Sequence, residues 1–409
     1  MLLPFLLLLM LDDPAKLIGL GVAALHANDL ALAQTDFEQA VKQAPSNATA
    51  WMLLAQTRAK LGNLKTAEDA AAQAEKFGSK DPAVLQALAN FYGSAMRDLP
   101  RAAATGARYA QIAPAQDTTA WQRVATLYLA IGKPDQAIDA GLRGKARDSS
   151  GDLRLVLAKA YMERKDWPNA NAEFAEAINR NPYDEATRFA AAQAHLLHQD
   201  FIGAEHVLLD ARKVFDKSPQ LELTLGVAYY GERNFPKAVD QFLHVMRLAP
   251  DLPQAYAFLG RILEHAGPRL PEVTERFAGF EQRNPSNPLG YLLHAKAIVA
   301  QLPNSAGFSS EAQQALTLVE KSISLNEADA DAQFEAGVLL YRKGDLAAAA
   351  THLEHSAQLN AKDSAVHFQL ARVYSALGRK EDAARERELH EKLAEQENAP
   401  PPQSQEHKK

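Results

Sequence analysis

A small residue recurs along this chain at a nearly constant interval, and that interval restricts the fold more than any other feature. It falls at Gly21, Ala55, Ala89, Ala125, Ala158, Ala192, Gly226, Gly260, Ala295, Gly337 and Ala371. The steps from Gly21 to Ala55 and on to Ala89 are each 34 residues. Those from Ala125 run 33, 34, 34 and 34, and the last, from Gly337, is again 34. A second small residue follows at Ala33, Ala67, Ala137, Ala170, Ala204, Ala238, Ala349 and Ala383. A proline closes several units, at Pro45, Pro114, Pro182, Pro250 and Pro285. Eleven units follow, hence about twenty-two helices. A unit of this length cannot bury its own apolar face and needs a copy above and below.

The plainest unit runs from Glu222 to Pro250, and each of its marked residues has a physical task. Gly226 and Ala238 are small where two helices approach closely. Tyr229 and Phe242 fill the space beside that contact. Pro250 cannot continue a helix and hands the chain to the next unit. Leu225-Gly226-x-x-Tyr229, Ala238-x-x-x-Phe242 and Pro250 resemble the tetratricopeptide repeat, and the likeness extends from about Pro14 to Leu393. The resemblance implies an all-α, right-handed superhelical solenoid over residues 14–397. Each repeat would be a helix-turn-helix pair touching only its neighbours. Places in a repeat are numbered below so that the first small residue is place eight.

Composition agrees with this expectation. The 409 residues are 47% hydrophobic and 23% charged, with no excess of Gly or Pro. A net charge of −6 gives no support for nucleic acid as the main partner. With no cysteine, disulfides, thiolate metal sites and cysteine nucleophiles are excluded.

The ends and irregularities come next. Leu2 to Leu11 is almost pure Leu. It is too short to span a bilayer, which takes about 20 residues, but has the length of a signal-peptide core. No Lys or Arg precedes it and no small-x-small cleavage site follows. Residues 1–13 are therefore expected to be the remnant of an export signal or membrane anchor, with an apolar strip packed on the first repeat as the alternative. On the first reading the protein is periplasmic, exported or anchored; a cytoplasmic location, which the lack of cysteine also fits, is the alternative. Gly19-Leu-Gly21-Val-Ala-Ala24 imitates a dinucleotide fingerprint, but its flanks keep the repeat spacing and no strand precedes it. Met96 to Pro100 predicts a longer turn, and Gly141 and Gly144 predict a soft second helix in the fourth repeat. Pro268 and Pro271 predict a turn one residue longer in the eighth. Gln301 to Ser310 reads as an inserted loop, and such loops on rigid scaffolds often carry binding residues. The tail from Asn398 to Lys409 is expected to be disordered.

No catalytic set is visible, and no enzyme activity, cofactor or metal is expected. His195 and His198, near Asp200 and His206, could share a metal, as could His352 with His355. His195, however, occupies the packing place of Tyr229, and structural or surface roles are the better reading for both pairs. There is no His-Glu-x-x-His, phosphate-binding loop or Gly-x-Ser-x-Gly.

What remains is a surface. In the family that the chain resembles, places five, six and nine of each first helix point into a concave groove that receives peptides or extended segments. Place nine includes Asn90, Lys159, Gln193, Arg261, Lys296 and Arg372. Arg123, Phe189, Phe258, Phe334 and Phe368 fall at places five or six. The implied partner is a protein or peptide with acidic and apolar residues. Some family members clamp a C-terminal carboxylate through Lys and Asn residues. Asn90 with Arg123 is the best local match, but Gln86 stands where a Lys is required, so that activity is not carried over. An exported envelope assembly or secretion component is the alternative function.

Overall fold

The computed structural model describes residues 13–303 and 308–398. The leucine run, the middle of the insertion and the tail after Asn398 lie outside the described residues. Among the described residues there are twenty-two α-helices and no strand. The chain divides into two compact units, Met1–Ala194 and His195–Lys409.

In the first unit the repeats are the pairs α1 (Pro14–His26) with α2 (Leu30–Gln43), α3 (Ala48–Lys60) with α4 (Leu64–Phe77), and α5 (Pro82–Ser94) with α6 (Leu99–Ile112). The fourth and fifth are α7 (Ala120–Ala130) with α8 (Pro134–Gly144), and α9 (Asp152–Glu163) with α10 (Trp167–Arg180). Helix α11 (Glu185–Leu197) contains the division between the units and pairs in sequence with α12 (Phe201–Arg212). The second unit continues with α13 (Pro219–Gly231) and α14 (Phe235–Leu248), α15 (Pro253–Arg261) and α16 (Leu270–Arg283), and α17 (Pro288–Gln301) and α18 (Ser310–Leu325). It ends with α19 (Ala330–Lys343) and α20 (Leu346–Leu359), then α21 (Ser364–Ala376) and α22 (Lys380–Asn398). The eleven pairs coincide with the eleven sequence units, and the molecule is an all-α repeat solenoid.

The period follows from three local devices. The first is the close contact. A Cβ placed on Gly226 would lie 2.5 Å from a ring carbon of Phe242, and one on Gly21 equally close to Phe37. Both rings are fully buried. In these two repeats place eight is glycine because the aromatic ring of place twenty-four lies against it, and in the tenth Leu353 meets Gly337 in the same way.

The second device is the turn inside each repeat. One residue between the helices takes a left-handed conformation, as at Asn28, Gly62, Gly132, Lys165, Arg233, Gly344 and Gly378. The next residue is commonly Asp or Asn, and where it is Asp, as at Asp29, Asp98, Asp166 and Asp345, its side chain caps the second helix. Asp29 Oδ1 accepts from the Leu32 amide at 3.0 Å, and Asp98 Oδ1 from that of Arg101 at 3.0 Å. A left-handed residue followed by a cap satisfies the free ends of both helices within three residues.

The third device joins one repeat to the next, and sequence reading missed it. In six of the repeats the place-four side chain bonds the carbonyl six residues earlier, often that of the stop proline. The Trp51 indole reaches the Pro45 carbonyl at 2.8 Å, and the Tyr256 hydroxyl reaches Pro250 at 2.8 Å. Tyr291 does the same to Pro285, Arg188 to Pro182, and Gln333 to Glu327. The residue types differ, so the sequence carries no common letter; what recurs is a long side chain with an N–H or O–H.

Several expectations change. Gly141 and Gly144 are not a soft interior. Leu157 packs onto Gly141, and Trp121 with Leu153 onto Gly144, which ends its helix. Pro100 lies in the first turn of α6 rather than in the linker. The eighth repeat differs more than one residue of turn. Its first helix stops at Arg261 and gives way to two 3-10 turns, Leu263–His265 and Gly267–Arg269. In the insertion, Phe308 packs on the apolar core of the last repeats, and the Lys343 ammonium lies 5.8 Å from its ring.

Candidate functional site

The first helices leave a face open. Place eight is buried in every repeat except at Ala89, which is half-buried. Place nine is buried in none: Asn90, Thr126, Lys159, Gln193, Arg261 and Arg372 are exposed, and the other five are half-buried. This is the helical consequence of one neighbouring position facing the partner helix while the next turns about 100° away.

In the first unit this face forms a hollow of about 540 Å³ between α5 and α7. Asn90, Ser94, Gln122, Arg123 and Thr126 line its rim, and Leu99, Ala102 and Leu127 its walls. The hollow is open because Ala89, Gly93 and Ala102 project so little. Asn90 and Arg123 are thus brought together, as their spacing suggested, while Lys159, Phe189 and Gln193 do not line this hollow. Arg123 is not an idle cation. Its guanidinium bonds Asp117 and the Thr119 hydroxyl, and it sits 5.9 Å from the Tyr109 ring. The Tyr109 hydroxyl donates to the same Asp117 at 2.6 Å. Burial would raise the Asp117 carboxyl, but the hydrogen bonds from Arg123 and Tyr109 outweigh it and lower it to about 2.

In the second unit the candidate residues divide into packing and open groups. The half-buried Phe258 ring stacks on Phe242 at 5.5 Å and meets Tyr230 edge-on at 5.9 Å. Phe334 packs against the core of the last three repeats. Both rings therefore support the face more than they extend from it. The Arg261 guanidinium lies over Phe258 at 5.6 Å. Among the described residues no carboxylate lies within ion-pair distance of Lys159 or Arg261. Lys296 differs, since its ammonium is 3.7 Å from Glu335, at place six of the next repeat. Burial raises the Glu335 carboxyl against the opposing pull of Lys296. Place nine alone did not reveal that pairing; reading place six of the following repeat beside it would have.

A second hollow, of about 610 Å³, lies over the last two repeats. Tyr341, Phe368, Arg372, Arg387 and His390 line it. Phe368 is 45% exposed, so this ring, unlike Phe258 and Phe334, is available. Sequence reading found Phe368 and Arg372 there but not Arg387 or His390, which come from the second helix of the repeat.

Two of the histidines first considered as metal ligands have structural partners. His195 is buried, with Nδ1 2.8 Å from Asp200, the residue that caps α12. His352 Nδ1 is 2.7 Å from the Gln333 amide oxygen.

A family model for the tetratricopeptide repeat matches residues 18–82 and 304–364. No curated protein matches the chain. Among solved structures, the Naa15/Naa10 complex bound to HypK-THB is 16% identical, with a TM-score of 0.46, and the match covers 92% of this chain and 68% of that one. The C-terminal part of a TPR repeat-containing protein from Cytophaga hutchinsonii is 16% identical, with a TM-score of 0.44, over 69% of this chain and 98% of that one. The APC/C hetero-tetramer Cut9-Hcn1 gives 12% identity and a TM-score of 0.41, over 95% and 88%. The family model thus places tetratricopeptide repeats in two separate segments of the chain, and a helix pair of the same kind stands at every one of the eleven sequence units.

Proposed function

We propose that this chain is a non-enzymatic scaffold that holds an extended segment of a protein partner on the faces of its first helices. The tetratricopeptide repeat array is a protein–protein interaction scaffold. The observation that supports a peptide on this face is place nine, solvent-accessible in all eleven repeats and occupied by three amides, four cations, a threonine and three valines, with no carboxylate. Exposed amides accept and donate to an extended backbone, and cations select acidic partners. Lys159 and Arg261 suit that task, having no internal carboxylate among the described residues. Lys296 suits it less, because Glu335 neutralises it.

The test is capture of partner chains by the immobilised array, compared with arrays carrying Asn90→Ala or Arg261→Ala. Loss of captured chains by these variants, with unchanged helicity, is the expected result. Retention of the same chains at the same salt concentration would move the binding face elsewhere. An exported or anchored location remains our proposal from the Leu2 to Leu11 run, and the N-terminal sequence of the mature protein tests it. Among the described residues no helix is long and apolar enough to cross a membrane.

A further inference from the structure

We infer that the hollow over the tenth and eleventh repeats is a receptor for an acidic, extended peptide, seating a carboxylate between Arg372 and Arg387 and an apolar neighbour against Phe368. The inference rests on the scaffold reading and names the chemistry of the partner.

It starts from place twenty-four. In the first, fifth and seventh repeats that place is Phe37, Phe174 and Phe242, and in the tenth it is Leu353, each no more than 2% exposed. These side chains plug the space between the two helices of a repeat. In the eleventh repeat the same place is Arg387, and place twenty-seven is His390 where the seventh repeat has the buried Val245. The plug is missing, and the hollow of about 610 Å³ lies there.

The second observation is charge. Arg387 donates to the Ser375 hydroxyl at 2.8 Å, and Arg372 to the Gln369 side-chain oxygen at 3.1 Å. Among the described residues neither guanidinium has a carboxylate within ion-pair distance. Two guanidiniums against the single carboxylate of Glu391, which also lines the hollow, leave it positive at any physiological pH. Arg372 lies over Tyr341 at 4.8 Å and near Phe368 at 5.8 Å. A guanidinium stacked by its face on a ring keeps its N–H edge for a planar carboxylate.

The walls decide between occupants. A bare anion would leave Tyr341 and Phe368 unused. A helix or a second copy laid over the hollow would bury two guanidiniums without partners, which costs several kcal/mol per charge. An extended peptide with alternating acidic and apolar residues satisfies both demands, since successive side chains point to opposite sides.

The experiment titrates the full chain with a labelled hexapeptide of alternating Glu and Leu, followed by fluorescence anisotropy. The analogue with Gln for Glu, and inorganic phosphate as competitor, are measured alongside. Expected results are binding of the acidic peptide that weakens with salt, and at least about tenfold weaker binding of the Gln analogue. Arg372→Gln and Arg387→Gln should each cost about tenfold. Arg387→Phe places there the ring that the first, fifth and seventh repeats carry and should abolish binding while retaining the helical circular dichroism signal. Equal affinity for the two peptides, undiminished binding to Arg387→Phe, displacement by equimolar phosphate, or dimerisation through this end in sedimentation would each overturn the inference. Because partner capture through Asn90 and Arg261 is measured separately, failure here leaves the scaffold reading standing.

Discussion

Replacing Gly226 by Ala and comparing the result with Gly19→Ala isolates the contact that sets the period. Both glycines lie inside first helices, so both substitutions gain the same helix propensity, up to about 1 kcal/mol. They differ in their surroundings. A Cβ on Gly19 would meet nothing within 4 Å, whereas one on Gly226 would lie 2.5, 2.8 and 3.2 Å from three ring carbons of Phe242. Ordinary carbon contacts are about 3.5–4.0 Å, so the ring must retreat by about 1 Å. It has little room, because Phe258 stacks behind it at 5.5 Å with an interplanar angle of 9°. The helices must separate instead. Overpacking of this size costs about 1–3 kcal/mol. Gly226→Ala should then fall between neutral and about 2 kcal/mol less stable, and Gly19→Ala should gain about 0.5–1 kcal/mol locally. Native-state hydrogen exchange is the suitable assay, because repeats open locally and a single unfolding midpoint is poorly defined for a long array. The expected pattern is reduced protection in α13 and α14 that fades over adjacent repeats. Equal gains of protection at both sites, or a uniform loss over the whole chain, would refute the argument.

Four further outcomes follow from particular contacts. Arg233→Gly should raise protection of the adjacent helix ends by about 0.5–1 kcal/mol, because Arg233 holds a φ of 59° that glycine adopts freely. Tyr256→Phe should lower local stability by about 0.5–1.5 kcal/mol through loss of the bond to the Pro250 carbonyl, without altering the helix count by circular dichroism. Lys296→Ala should destabilise the ninth and tenth repeats by on the order of 1 kcal/mol by leaving Glu335 half-buried without its cation, and adding Glu335→Gln should restore most of it. Asp117 sits below its unfolded value, so its contribution is complete above about pH 4 and is lost as pH falls toward about 2. The difference in urea midpoint between wild type and Asp117→Asn should therefore shrink over that window, and a constant difference would argue against the Arg123–Asp117–Tyr109 cluster.

The repeat frame was legible from the sequence because it is written in residue size at fixed spacing. A helix contact that excludes a Cβ admits few residues, so Gly21, Gly226 and Gly337 announce it. The turn was legible where glycine or Asn28 marks it, and hidden at Lys165 and Arg233, where the surrounding helices impose a conformation the residue itself disfavours. Place nine could be recognised as a face, but not what each side chain does there. Lys296 and Arg261 are alike in sequence; one has a carboxylate from the next repeat beside it and the other has none.

Periodicity alone determined the helix pairs, their number and the identity of the close contacts, since these depend on residues within a single repeat. Only the tertiary structure decided which cations are already neutralised, which aromatic rings serve the core, and where hollows open. Those properties depend on atoms from different repeats meeting within a few ångströms, and a one-residue change such as Arg387 in place of a ring alters them without disturbing the period.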